Sequence, residues 1–248
     1  MTDRQLTATL AGSAAASARA PSIHHTQPWR WVVRTRSLDL YADRTRQLTG
    51  IDPDGRLVLL GCGGALHYAR VALAADGLGV RVDLRPDSDP DHVATLTATG
   101  PVAADVRAKE LLSAASPLPS PAPAGSPPQA ALAALVEAAA AVGVRMRILD
   151  RPQVLALAGA SSVTRRVRQR IGLDETTVYA LLFGDQDTTE AWVRAGEALS
   201  AVSLEADRHG LTVYPSWTVV DLPGSREVVR KVLGSEGTPY LALRIGTS

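Results

Sequence analysis

The chain has one cysteine and two lysines in 248 residues, and the scarcity of cysteine limits the chemistry available to it. Cys62 alone can form neither an intrachain disulfide nor a cysteine-based zinc cluster. His24 and His25 are adjacent, so on an extended chain their side chains face opposite sides and do not form a metal-binding pair. The sequence therefore predicts no metal site.

The chain also lacks a large net charge of either sign and lacks long apolar runs. The chain has 26 Lys and Arg residues against 25 Asp and Glu residues, so it has no broad basic field that would attract nucleic acid. No run approaches the roughly 20 apolar residues that a membrane span needs. The first residues, with Asp3 and Arg4, lack the pattern of a signal peptide. We therefore expect a cytoplasmic protein without a nucleic-acid or membrane partner.

Two long helical segments share a pattern of small residues. Gly63-Gly64-Ala65-Leu66 in one segment matches Gly196-Glu197-Ala198-Leu199 in the other, and a Gly-Leu pair follows at the same distance in both. The small residues would let two such helices approach closely about a pseudo-twofold axis, and coincidence in an alanine-rich chain is the alternative. On the second helix, three charged residues fall on the polar face and are expected to be solvated: Glu205, Asp207 and Arg208.

A proline-rich segment divides the chain between these helices. Residues 113–129 contain six prolines in seventeen residues, which is typical of an extended linker. The pattern of helices and strands restarts after it, so residues 1–112 are predicted to form a first repeat and residues 130–248 a second. We expect the linker to run over the surface with few contacts and to be sensitive to proteases.

The stretch from Ala20 to Trp31 concentrates polar and aromatic residues between a helix and a strand. It contains two of the four tryptophans and two of the five histidines of the chain. Pro21 ends the preceding helix, because the residue before a proline is displaced from helical geometry. Residue types alone leave two interpretations, a loop that binds a planar ligand or a structural turn whose Trp29 and Trp31 fill the core.

The order of residues in this loop indicates a family. Ala20-Pro21-Ser22-Ile23-His24-His25-Thr26-Gln27-Pro28-Trp29 resembles the Ala-Pro-Ser-x-x-Asn-x-Gln-Pro-Trp signature of nitroreductase-like flavoproteins. Residues 38–44 and the helix from Arg194 to Leu199 are similar to the Acg-type branch of actinobacteria, in which one chain carries two degenerate repeats. The resemblance covers most of the chain. It implies an α+β nitroreductase-like fold whose two repeats form an intramolecular pseudo-dimer.

The resemblance also implies FMN held between the two halves, with NAD(P)H as the electron donor. Two segments match the walls of the family's flavin pocket, namely the signature loop and the strand that follows the second long helix. The residues expected to bind the cofactor are Ser22, His25, Gln27, Trp29, Tyr214, Pro215, Ser216 and Trp217. Because hydride chemistry belongs to the cofactor, no catalytic side chain is assigned.

The sequence departs from the family pattern where the cofactor would be held. His25 replaces the signature asparagine, and an imidazole cannot present the paired donor and acceptor of an amide. The proline-rich segment stands where the family begins its second repeat with an arginine-rich, phosphate-binding stretch. A phosphate needs Arg, Lys or a helix N-terminus. The dense basic cluster at residues 165–170 makes Arg165 and Arg166 candidates for this contact, and a solvated helical face is the alternative.

The resemblance predicts an FMN-dependent NAD(P)H oxidoreductase of nitroreductase type that acts on a small molecule. One alternative is a non-catalytic, flavin-sequestering or ligand-binding descendant that has lost the usual phosphate site. Another is a specialised biosynthetic oxidoreductase with an altered flavin site. We expect a monomeric pseudo-dimer or a weak homo-oligomer.

Overall fold

The computed structural model describes residues 1–116, 125–160, 177–217, 223–234 and 237–247. These residues form an α+β fold with two four-stranded antiparallel sheets and a central pair of long helices. The predicted fold class is therefore confirmed. Residues 161–176, which contain the basic cluster with Arg165 and Arg166, lie outside the described residues.

The first sheet is built from strands that flank a long helix. Its strand order is β1-β2-β4-β3, and every neighbouring pair is antiparallel. The elements of this half are α1 (Asp3–Ala16), β1 (Trp29–Val33), β2 (Ser37–Ala42), α2 (Arg56–Ala75), β3 (Leu78–Leu84), β4 (His92–Pro101) and α3 (Val106–Ala114). Thr2 and Gln5 form a capping box that fixes the start of α1, since each side chain binds the other residue's backbone N–H.

The second sheet repeats the first in topology. Its strand order, β5-β6-β8-β7, is the same sequence of neighbours, and a long helix again separates its second and third strands along the chain. The elements of this half are α4 (Gln129–Ala140), β5 (Arg145–Ile148), α5 (Arg151–Ala160), β6 (Val178–Gly184), α6 (Thr189–Arg208), β7 (Leu211–Ser216), α7 (Pro223–Leu233) and β8 (Thr238–Thr247).

Helices α2 and α6 cross at the two glycines that the sequence pattern singled out. A Cβ placed on Gly63 would overlap the backbone carbonyl of Val193, and one placed on Gly196 would overlap the carbonyl of Leu60. Leu60 and Val193 occupy equivalent positions of the two matched helices, so the contact is reciprocal, as at an isologous interface. The predicted close approach of the two helices is confirmed.

The core lies on both sides of this crossing. Its largest fully buried side chains come from both halves and include Trp192, Leu60, Leu66, Leu96 and Leu181. Helix α2 is long and apolar enough to span a membrane by length and composition, contrary to the expectation that no segment is, but 78% of its most apolar window is buried inside the protein. Its apolar character is accounted for by packing within the fold.

The linker is shorter than the proline-rich composition predicts. Helix α3 continues to Ala114 and α4 begins at Gln129, so both ends of the 113–129 segment are helical. Its described beginning also makes specific contacts, because Arg19 donates a hydrogen bond to the carbonyl of Ala115 and the backbone N–H of Ser116 donates to Asp207 over 2.9 Å. These contacts show that the described beginning of the segment is held against the protein, and the protease sensitivity of the segment stays a prediction.

Candidate functional site

A cavity of about 210 Å³ lies between the two halves, at one side of the α2–α6 pair. The loop after α1 forms one wall, strand β7 and Trp217 form the opposite wall, and α2 and α6 form the floor. The lining residues are Arg19, Pro21, Ser22, His24, His25, Tyr68, Ala115, Ser116, Ser200, Ser203, Leu204, Asp207, Val213, Tyr214, Pro215 and Trp217. The site therefore draws its residues from both repeats of one chain.

The first wall is a strained loop held by side-chain hydrogen bonds. His24, His25 and Gln27 have φ angles of 46°, 56° and 46°, a left-handed conformation that costs a residue other than glycine about 1–2 kcal/mol. Ser22 accepts a hydrogen bond from the backbone N–H of Gln27 over 3.1 Å, and the Gln27 amide donates to the carbonyl of Ala18 over 2.8 Å. Strain of this kind is typical of ligand-binding segments.

Glycines of α2 provide the seat for this loop. A Cβ on Gly61 would lie 3.0 Å from the ring of Pro28, and one on Gly64 would lie 3.2 Å from the carbonyl of Pro21. Both ends of the loop therefore press against the helix where it lacks side chains. Gly61 and Gly64 of α2 thus contact the loop, and Gly63 contacts α6.

The opposite wall is mainly apolar and partly open. Tyr214 is 53% exposed, and it lies beside Pro215 and Trp217 on the same side of the cavity. Strand β7 is at the edge of its sheet. A proline is tolerated there because its missing N–H need not remove a hydrogen bond to a neighbouring strand. The edge position also leaves one row of backbone groups directed away from the sheet.

Polar groups are concentrated on the floor and at the α3 end of the cavity. Tyr68 of α2 and Ser200 and Ser203 of α6 lie in this part of the lining, and Ser200 is fully buried there. Arg19 supplies a guanidinium and Asp207 a carboxyl, whose pKa is raised by burial. A ligand in this cavity would therefore meet flat apolar side chains on one side and hydroxyl, guanidinium and carboxyl groups on another.

The structure brings together five of the eight described residues that the family resemblance predicts to bind the cofactor. Ser22, His25, Tyr214, Pro215 and Trp217 line one cavity. The three others lie elsewhere. Gln27 holds the loop, Trp29 is 8% exposed in the core at the start of β1, and Ser216 is not part of the lining. The structural interpretation of Trp29 as a core residue thus agrees with its position, because a large indole at the start of β1 packs inward.

Several lining residues were not identified from the sequence. Arg19 follows α1, and Tyr68 and Asp207 are on the two central helices, so only the folded chain brings them together. Asp207 was expected to be solvated with its neighbours, but it lines the cavity. Glu205 is 1% exposed and pairs with Arg107 and Arg208, at 2.9 and 2.6 Å.

A second cavity, of about 440 Å³, lies at the equivalent place on the other side of the helix pair. His67, Val71 and Val80 line it at positions that match Ser200, Leu204 and Val213 of the first cavity. Its lining includes Arg70 and Arg107, whose charges are engaged by the buried carboxylates of α6. The short connection between α4 and β5, which corresponds in position to the signature loop, contributes Val142 to its lining.

His67 and Ser200 join the two cavities across the helix pair. The Nδ1 atom of His67 lies 3.1 Å from the hydroxyl oxygen of Ser200. Burial, and secondarily the charge of Arg70, lowers the pKa of His67 to about 3, so the imidazole is neutral at neutral pH. The pair is a neutral hydrogen bond between the two halves of the chain.

Metal or thiol chemistry has no support at this site. Among the described residues, no group of three or more His, Cys, Asp or Glu side chains could hold a metal ion. Burial raises the pKa of Cys62 to about 12, and its thiol lies 3.4 Å from the carbonyl of Pro28. A thiol in this state packs as a small apolar group and is not a nucleophile at neutral pH.

Two Mycobacterium tuberculosis proteins are similar to the chain over most of its length. Rv3131 carries the provisional name of an NAD(P)H nitroreductase, and it is 31% identical over 92% of this chain and 82% of its own. The Acg protein carries the same provisional name, and it is 28% identical over 92% of this chain and 86% of its own. The chain therefore belongs to the nitroreductase family, in the branch that contains the Acg proteins.

Two other comparisons do not strengthen the assignment to this family. No protein-family model matches the chain. A solved structure from Parabacteroides distasonis, provisionally described as an NADH dehydrogenase/NAD(P)H nitroreductase, is 20% identical, with a TM-score of 0.40 over 50% of this chain and 77% of that one. That likeness is too low to carry an argument, and the assignment to the family rests on the two mycobacterial relatives.

Proposed function

We propose that this protein is an FMN-dependent oxidoreductase of nitroreductase type that takes electrons from NAD(P)H. One observation carries the proposal. The two segments that resemble the walls of the family's flavin pocket lie far apart in the sequence, yet residues of both line one cavity. His25 is on one wall and Trp217 is on the other.

The lining suits a flavin in its chemical character. The side chains of Pro215 and Trp217 offer apolar surface to a planar ring, and the hydroxyl of Ser203 can pair with its polar edge. When bound, the flavin would supply hydride transfer, and the protein would supply binding and orientation. The cavity of about 210 Å³ is smaller than the roughly 300–1,000 Å³ of typical ligand pockets, so it would enclose only part of the cofactor.

Arg19 is the described residue best placed to bind the phosphate. Its guanidinium lines the cavity and uses one of its five N–H donors on the carbonyl of Ala115. A guanidinium with further donors matches a phosphate in charge and shape. We therefore propose Arg19 for this contact. Arg165 and Arg166, the candidates from the sequence, lie outside the described residues.

The protein needs no second copy to complete this site. The signature loop, with Ser22, comes from the first repeat, and β7, with Tyr214, comes from the second repeat of the same chain. We propose that the chain acts as a monomeric pseudo-dimer, with the α2–α6 contact in the place of a subunit interface.

The spectrum of the purified protein tests this function. Bound FMN would absorb near roughly 450 nm, and this absorbance should disappear when NADH or NADPH is added without oxygen. Return of the absorbance on addition of a nitroaromatic compound would show turnover. Bound flavin that neither nicotinamide reduces would favour a flavin-sequestering protein. Failure to bind flavin after reconstitution with excess FMN would contradict the proposal.

A further inference from the structure

Tyr68 is a buried residue whose polar atom lacks a partner. The side chain is on α2, the residue is 3% exposed, and its hydroxyl oxygen is buried. It is the one buried side-chain polar atom without a hydrogen bond among those described. Such a group destabilises the folded protein, because it has lost its hydration without gaining a hydrogen bond.

The residue that carries this unpaired hydroxyl lies beside the candidate site. Tyr68 lines the cavity between the signature loop and β7. Arg19 and Asp207, which also line the cavity, act on the phenol electrostatically, the first lowering its pKa and the second raising it. Burial is the larger cause and raises the pKa of Tyr68, so the hydroxyl stays protonated and able to donate.

We propose that the Tyr68 hydroxyl donates a hydrogen bond to an uncharged acceptor of the flavin, one that FMN and riboflavin share. This inference rests on the proposed function. Arg19 is already proposed for the phosphate, which leaves Tyr68 for an uncharged part of the ligand. Ser203 lines the same cavity, and its hydroxyl is consistent with a neutral, hydrogen-bonding part of the ligand.

Tyr240 provides a matched control. It is also 3% exposed, but its hydroxyl donates to the carbonyl of Gln186 over 2.7 Å and it does not line the cavity. Tyr68→Phe removes a hydroxyl that has no partner in the unliganded protein. Tyr240→Phe removes one that is already paired and leaves the Gln186 carbonyl without this donor.

Titration of the flavin-free protein with FMN and with riboflavin tests the inference. Tyr68→Phe should weaken the binding of both flavins by the same factor, between about twofold and about tenfold, as expected for one neutral hydrogen bond. Tyr240→Phe should leave both affinities unchanged. Without flavin, the thermal midpoint of Tyr68→Phe should equal or exceed that of the wild type, and that of Tyr240→Phe should be lower.

Three other outcomes of this titration would contradict the inference or the proposed function. Unchanged affinities in Tyr68→Phe, with flavin binding in the wild type, would overturn this inference and leave the proposed function standing. A loss confined to FMN would place the hydroxyl on the phosphate and overturn the neutral contact. Absence of flavin binding in the wild type would contradict the proposed function and this inference together.

Discussion

Adding one methyl group at the crossing of α2 and α6 should destabilise the protein, although the same change usually strengthens a helix. Gly63→Ala places a Cβ on the carbonyl of Val193, and Gly196→Ala places one on the carbonyl of Leu60. Both obstacles are backbone atoms, so no side chain can rotate away. The helices must separate by on the order of 1 Å to restore ordinary contact.

The magnitude follows from two opposing effects. Alanine is better than glycine in a helix interior by about 1 kcal/mol. Overpacking costs about 1–3 kcal/mol, and a backbone obstacle places this site at the upper end. Each substitution should therefore lower the free energy of unfolding by about 2 kcal/mol. The double variant Gly63→Ala/Gly196→Ala should lose less than the sum, because one separation of the helices relieves both collisions.

Gly12 is the matched control for this prediction. It lies within α1, and a Cβ at this position would have no neighbour within 4 Å. Gly12→Ala should therefore stabilise the protein by about 0.5–1 kcal/mol. Urea unfolding measured by circular dichroism gives the free energies by linear extrapolation. Stabilisation by Gly63→Ala similar to that by Gly12→Ala would refute the close crossing.

Two further predictions concern His67 and Arg19. The low pKa of His67, about 3, means that the unfolded chain binds a proton below pH 6.5 while the folded protein does not, so stability falls as the pH decreases from about 6.5 towards 3. His67→Gln should remove up to about 2–3 kcal/mol of the loss between pH 6.5 and 4.5 in urea unfolding, and an unchanged pH dependence would contradict this. Arg19→Gln should weaken FMN about tenfold, through loss of a charge-assisted hydrogen bond, while leaving riboflavin unaffected in the same titration. An equal loss for both flavins would exclude Arg19 as the phosphate contact.

The helix crossing and the walls of the cavity could be predicted from the sequence because both leave local patterns. The matched glycines, Gly63 and Gly196, are in segments that repeat a spacing. The signature loop is a continuous run of residues, and β7 follows a recognisable helix. Patterns of this kind can be detected in a single sequence without knowledge of the tertiary structure.

The remainder of the site depends on contacts that a sequence does not display. Arg19 and Asp207 meet at the cavity only because α1 and α6 end near each other in the fold. Gln27 adopts a positive φ and its amide donates to the Ala18 carbonyl, a role in fixing the loop that the sequence did not indicate. The composition of the proline-rich segment likewise gave no indication that Ser116 would bind Asp207.

The central claim is that flavin binds in the cavity between the signature loop and β7, and blocking that cavity tests it most directly. Ser203→Trp would fill this cavity from α6, and Ala74→Trp would fill the second cavity from α2 as the control. FMN affinity should be measured for both variants, after circular dichroism has shown that each is folded. The account predicts loss of FMN binding in Ser203→Trp and wild-type affinity in Ala74→Trp. Wild-type affinity in a folded Ser203→Trp would contradict it.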